Sequence, residues 1–294
     1  MALDKVIDSA VLDAGLTSVA DAIRAKGGTS EQMAFPEGFV SAVEGIPVGG
    51  GVDSDTVFFD GLLVCNISPE LSVENVIVKA RYMGIMGTSS ISTESGANHG
   101  SVNHQFKHLT IEADEPISVG SINCRNGFDG LSLLKSVTIK NIRPKTLYQC
   151  FQCVYGAESS SLKSVYGLDF TRCGGAAYRI GALFERQNVL ENVTIVPNTC
   201  GKLDLNTYSG NNLTFLHSSL LTDESLISIA NGLCADYVST LQLHTIPKVR
   251  CDEILGTVIT QTDDDEVYDF FAADSLGTVT LTEFITTTKG WTLA

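Results

Sequence analysis

A chain of 294 residues with 44 % hydrophobic residues is long enough to bury a large core or to stack several repeats. Its formal net charge of -15, from 34 acidic and 19 basic residues, disfavours nucleic acid and anionic membrane as partners while admitting divalent cations or neutral partners such as glycans. No run of 18 apolar residues occurs, so no membrane span is expected. The start, MALDKVIDSAVLDAG, carries acids inside its apolar pattern and lacks the basic beginning, apolar core and cleavage site of a signal peptide.

Residues 3–26 read as helix, with Ile7, Val11, Val19 and Ile23 at helical spacing. Gly15 interrupts the pattern, leaving open one helix or two, over about 3–13 and 17–26. Gly27-Gly28 ends the element, and a further short helix is expected from Pro36 to Val43. Ile46-Pro47-Val48 and Gly49-Gly50-Gly51 then form a flexible joint. The helical module, 1–48, is too short to hold a core alone. It is expected to dock, to bind a partner, or to form a homo-oligomer through residues 3–26.

Beyond the joint a leucine-rich unit recurs. Phe106, Leu109 and Ile111 in FKHLTI align with Leu134, Val137 and Ile139 in LKSVTI. Leu162 and Val165, then Leu190, Val193 and Ile195, follow at the same step of 28 residues. VENVIV, residues 73–78, has the same shape but precedes its neighbour by 33, with a longer loop inserted between. Each unit alternates apolar and polar residues and is expected to give one short strand, a turn and a return. The expected fold class is an α+β solenoid: a leucine-rich-repeat-like stack of short parallel strands over 52–219, with the small N-terminal helical module before it.

After Ile195 the phase changes, since Leu213 and Phe215 come 20 residues after Val193 and Ile195. Leu241 and Leu243 return 28 residues later. Between them Thr222-Asp223-Glu224 opens a helix, with Thr222 as N-cap and acids in the first turn. Asp263-Asp264-Asp265-Glu266 reads as a solvated turn, and Val279 and Leu281 as a last strand-like unit. Trp291 is placed to close the last exposed edge. Residues 220–294 are thus the C-terminal helix and closing units. The eight cysteines are too sparse for a stapled scaffold and read as small core hydrophobes.

The units FKHLTI, LKSVTI and LENVTI resemble the BspA-type (Treponema-like) leucine-rich repeat of bacterial surface proteins, although that family's unit is commonly shorter. VADAIRAKGGTSEQMAFPEGFVSAVEGI resembles the short helical module of tail and baseplate-associated proteins in phages and prophages of Gram-positive bacteria; Ala20, Ile23, Arg24, Lys26, Phe35, Pro36 and Ile46 carry the likeness. LTDESLISIANGL and the terminal TTTKGWTLA resemble the C-terminal part of the same proteins. The resemblance implies a structural or host-contacting role, in a virion or at a cell surface, and supplies no catalytic residue.

Constellations with chemistry are sparse. His104 and His108 are four apart, but His108 abuts a strand, so the helical metal geometry fails. Cys150 and Cys153 form a CxxC without a second ligand pair or a redox context. The acids at 263–266 and Asp269 lack the EF-hand spacing. Nucleophile elbow, P-loop and dinucleotide fingerprint are all missing, and no cofactor is expected. Tyr148, Tyr155, Tyr166 and Tyr178 crowd the central units with Arg172 and Arg179, residue types suited to protein or sugar contacts. The expected function is non-catalytic binding or assembly, tail-associated, with other tail proteins or a cell-surface protein or glycan as partner. A bacterial cell-surface adhesin is the alternative. A carbohydrate-active enzyme on a parallel β-solenoid is a third, which would need a groove holding two carboxylates.

Overall fold

The computed structural model describes residues 17, 20–21, 55–61, 64–66, 71–80, 90–92, 104–124, 132–147, 149–153, 160–173, 180, 183–201, 212–235, 239–263 and 265–294. The chain forms two compact units, Met1–Val57 and Phe58–Ala294. In the first, positions 17, 20 and 21 are helical and Ala20 is buried, inside the helix expected over 17–26. The remaining helical expectations before residue 55 lie outside the described residues.

The second unit is a mixed α+β fold dominated by parallel strands. Among the described residues the larger sheet has eight strands: β1 (Thr56–Gly61), β2 (Val64–Asn66), β3 (Asn75–Ala80), β4 (Ser90–Ser92), β5 (His108–Asn123), β6 (Ser136–Thr146), β7 (Ser164–Leu168) and β8 (Asn192–Ile195). The main path runs β1-β3-β5-β6-β7-β8, and β4 joins β2 to β5. The repeat spacing is the pairing register. His108, Ser136, Ser164 and Asn192 lie side by side, each 28 residues from the last. Asn75 precedes His108 in the same row by the anticipated 33.

Alternation along each strand turns one face inward. Val76, Leu109, Val137, Val165 and Val193 form one buried row. Phe106, Leu134, Leu162 and Leu190 are buried just before the strands. Farther along, the rings of Phe151, Phe184 and Phe215 stack with centroids 5.5 and 4.9 Å apart. Each buried side chain of this size contributes about 1.5–3 kcal/mol. The seven described cysteines are all buried, as expected of core hydrophobes.

Two strands are longer than the expected short segments, because the ladder turns a corner and continues. Glu112 pairs with Lys140, and pairing resumes at Ile117 with Ile142. Asn141 stands at the corner with φ 58°, its side-chain amide donating to the Ala113 carbonyl at 2.9 Å. β7 turns differently, through Gly167 at φ 77°. A Cβ there would lie 2.0 Å from the Ile139 carbonyl oxygen. Gly167→Ala is therefore expected to cost at least about 2 kcal/mol, from left-handed strain and a clash with fixed backbone. Thermal denaturation should show a midpoint lowered by roughly 4 °C or more; an unchanged midpoint would show that the corner relaxes freely.

The phase change after Ile195 is a helix taking the place of a strand. At the entrance to each unit, backbone N–H groups of Lys107, Lys135, Lys163 and Glu191 donate to carbonyls of Glu74, Lys107, Lys135 and Lys163 in turn. The next donor to the series, onto Glu191, is Thr222, the N-cap of α1 (Asp223–Gly232). Thr222 caps through its side chain, which accepts from the Ser225 N–H, as the sequence indicates. The open edge of β8 is met by helix side chains: Val193 N–H donates to Ser225 Oγ (2.9 Å) and Ile195 N–H to Ser228 Oγ (3.1 Å).

A second parallel sheet, order β14-β10-β9, comprises β9 (Leu213–Phe215), β10 (Thr240–Leu243) and β14 (Thr292–Leu293). Leu213 pairs with Leu241 and Phe215 with Leu243, at the expected 28-residue step. β14 adds to β10, with Trp291 buried just before it and its indole N–H donating to the Cys234 carbonyl at 2.9 Å. The sheet is thus extended by Thr292 and Leu293, with Trp291 packed beside them. Helix α2 (Thr245–Arg250) follows β10.

Asp263 and Glu266 of the acidic stretch are the last pair of an antiparallel hairpin, β11 (Leu255–Asp263) with β12 (Glu266–Ala273), and Asp265 takes φ 66° between them. The expected strand through Val279 and Leu281 needs correction. Only Val279–Thr280 (β13) is extended, and it pairs antiparallel to β11. Leu281 begins α3 (Leu281–Glu283), because Thr280 and Glu283 form a reciprocal capping box that commits the chain to helix. A π-helical turn, Phe284–Thr288, continues it.

Candidate binding surface and groove

Outward residues of the larger sheet line up as the inward ones do. One row carries His108, Ser136, Ser164 and Asn192, joined by His108–Ser136 (2.7 Å) and Asn192–Ser164 (3.3 Å) hydrogen bonds, with Ser164 buried beneath its neighbours. The next carries Ile77, Thr110, Thr138 and Tyr166. A third pairs Lys79 with Glu112 and sets Lys140 beside Glu112. At the strand entrances Lys107 pairs with Glu74 (3.2 Å) and Lys163 with Glu191 (2.7 Å). The repeat therefore presents a regular polar face, with contacts linking one unit to the next.

Tyr166 is 36 % exposed on this face, at the end of the threonine row. Arg172 is exposed in the turn after β7. That turn is fixed by Asp169, which accepts from the Thr171 N–H (2.8 Å) and pairs with Arg143 (3.1 Å). Among the described residues no hydrogen bond, ion pair or ring contact joins Tyr166 to Arg172. Tyr148, Tyr155, Tyr178 and Arg179 lie outside the described residues.

The histidines stand as hydrogen-bonding members of the stack. His104 is buried with Nδ1 3.2 Å from Ser132 Oγ, and His108 bonds Ser136 as above. Cys150 and Cys153 are both buried. Burial pushes the Cys150 thiol well above its usual range, reinforced by its hydrogen bond with Cys124. Such a thiol resists forming the thiolate that redox chemistry needs. Among the described residues no group of three His, Cys, Asp or Glu side chains could hold a metal ion.

A groove of about 690 Å³, unannounced by any local pattern, lies between α1, α2 and the base of the hairpin. Ile227, Ile254 and Leu255 form its apolar part. Around them stand Asp223, Glu224, Glu253 and Asp274, against a single cation, Arg250. Arg250 is committed to Asp223 and to the Leu221 carbonyl. Asp274 accepts from Thr257 Oγ1 (2.7 Å) and the Leu276 N–H (2.9 Å). The Glu224 and Glu253 carboxylates have no hydrogen bond or ion pair among the described residues. Asp223 and Glu224 are legible as first-turn acids of a helix, but their meeting with Glu253 and Asp274 depends on long-range packing. All four carboxylates are exposed, whereas a glycosidic general acid needs a carboxyl shielded from water.

Among the described residues no helix is long and apolar enough to cross a membrane. Comparison with protein-family models, with curated proteins and with solved structures returned no match to this chain.

Proposed function

We propose that the chain is a leucine-rich-repeat-like solenoid that acts by non-catalytic binding or assembly, as a component of a phage or prophage tail. The observation that carries the binding reading is the register-matched ladder. Four successive units stack matching positions in register on one face, and such faces serve as extended contact surfaces in repeat proteins. The tail assignment rests on the resemblance of VADAIRAKGGTSEQMAFPEGFVSAVEGI and TTTKGWTLA to tail-associated proteins. Its partners are other tail proteins, or a protein or glycan on the host surface.

Mass spectrometry of phage particles induced and purified from the encoding strain tests the assignment. Stoichiometric abundance in particles supports it. Absence from particles, with the chain found on washed cells, transfers the same surface to a bacterial adhesin. Tyr166→Ala with Arg172→Ala is expected to lower binding to intact host cells several-fold while leaving the melting temperature within about 2 °C. Unchanged binding with a lowered melting temperature would assign both residues to structure.

A further inference from the structure

The groove has a feature beyond its carboxylates. Phe271 of β12 directs its N–H and C=O away from β11, and both are taken by the side-chain amide of Asn231: N–H to Oδ1 at 2.7 Å, Nδ2 to the carbonyl at 3.0 Å. Phe271 pairs with Val258 and Ala273 with Gly256, two residues along on each strand. In an antiparallel pair this spacing repeats the backbone direction, so Ala273 also points its N–H and C=O outward. Ala273 lines the groove. No described residue occupies at Ala273 the place that Asn231 occupies at Phe271.

We infer that the groove receives an extended, lysine-bearing segment of a partner protein, which pairs with the β12 edge at Ala273 and sets its ammonium groups against Glu224 and Glu253. An exposed strand edge recruits extended peptide through backbone hydrogen bonds, and flanking side chains select the sequence. The selection here is by charge: four carboxylates face one guanidinium, and that guanidinium is already engaged. Aliphatic lysine stems rest on Ile227 and Ile254 while their ends reach the acids.

Fluorescence anisotropy of the full chain with a fluorescein-labelled Thr-Lys-Val-Lys-Thr-Lys peptide, in low salt, tests this. Saturable binding is expected, with none for the matching Thr-Glu-Val-Glu-Thr-Glu peptide. Glu224→Gln with Glu253→Gln should weaken binding at least about tenfold, a loss in line with removing two charge-assisted contacts. Asp114→Asn with Glu115→Gln, which removes two charges elsewhere, should change it less than about twofold. Equal losses from the two pairs would reduce the effect to bulk attraction and overturn the proposal. So would competition by spermidine as effective as by unlabelled peptide, since that makes the site one for free polyamines. The assay is independent of whether the chain is found in virions, so failure here and failure of the tail assignment are separable.

Discussion

Val137→Asp is expected to abolish cooperative folding of the 58–294 unit. Val137 is fully buried in the middle of the inward row, between Leu109 and Val165 on adjacent strands. No cationic side chain stands in that row. An aspartate there must bury an ion without a partner or take up a proton and still bury an unsatisfied carboxyl. Either route costs several kcal/mol, with the lost valine burial added. A domain of this kind is stable by only about 5–15 kcal/mol. Because each unit rests on its neighbours, the damage extends along the ladder. The control is Thr138→Asp, one residue on and facing outward, which should cost less than about 1 kcal/mol. Circular dichroism during thermal denaturation separates them: the Thr138 variant keeps a single transition and the Val137 variant loses it. Retention of the native transition by the Val137 variant would show that the row is not the core.

Lys289→Met is expected to stabilise the protein, and to do so in a pH-dependent way. Lys289 is completely buried, and among the described residues its ammonium has no hydrogen-bond partner. Its Nζ lies 5.6 Å from the Tyr268 ring centre and 5.4 Å from that of Phe284. Burial pulls its pKa from 10.5 down to about 8, against the opposing influence of Cys234 and Asp269. The folded state therefore disfavours the charged lysine more than the unfolded state does. That penalty is fully present below about pH 8 and is relieved as pH rises from 8 to 10.5. Its size at neutral pH is about 3 kcal/mol. Methionine keeps the length and apolar stem without the charge. In urea denaturation the variant should exceed the parent by that amount at pH 7, and the difference should shrink toward zero above pH 10.5. A constant difference across this range would mean that packing, and not charge, sets the effect.

How much of this was legible follows from how local each signal is. The parallel ladder was readable because one step of 28 residues fixes both the sequence match and the register, so Leu109, Val137 and Val193 announce themselves twice. Helix α1 was readable because Thr222 and its following acids form a local N-terminal signal. The corner at Asn141 was not, since its left-handed backbone depends on the Ala113 carbonyl of the neighbouring strand. The hairpin was missed although its signal was present: Thr257-Val258-Ile259-Thr260 and Val267-Tyr268-Asp269-Phe270-Phe271 are β-branched and aromatic runs flanking a recognised turn. They do not carry the leucine pattern, and a search for repeats passes over them. The groove was invisible because Glu224, Glu253 and Asp274 are distant along the chain and each looks like an ordinary surface acid. Lys289 likewise gave no signal, as a lysine between threonines and Gly290 reads as solvent-exposed.

The position of α1 has a consequence for synthesis on the ribosome. Strands from β5 to β8 can pair as they emerge, each upon the one before, but every stage leaves the newest strand with a row of unanswered amides. Ser225 and Ser228 answer those of β8, and Asn231 later receives β12. Until residue 232 has left the exit tunnel, the nascent chain carries an adhesive margin open to other nascent chains. A message truncated between residues 196 and 221 would fix that state permanently. Its product is expected to keep that margin exposed and to associate with copies of itself more readily than the full-length chain.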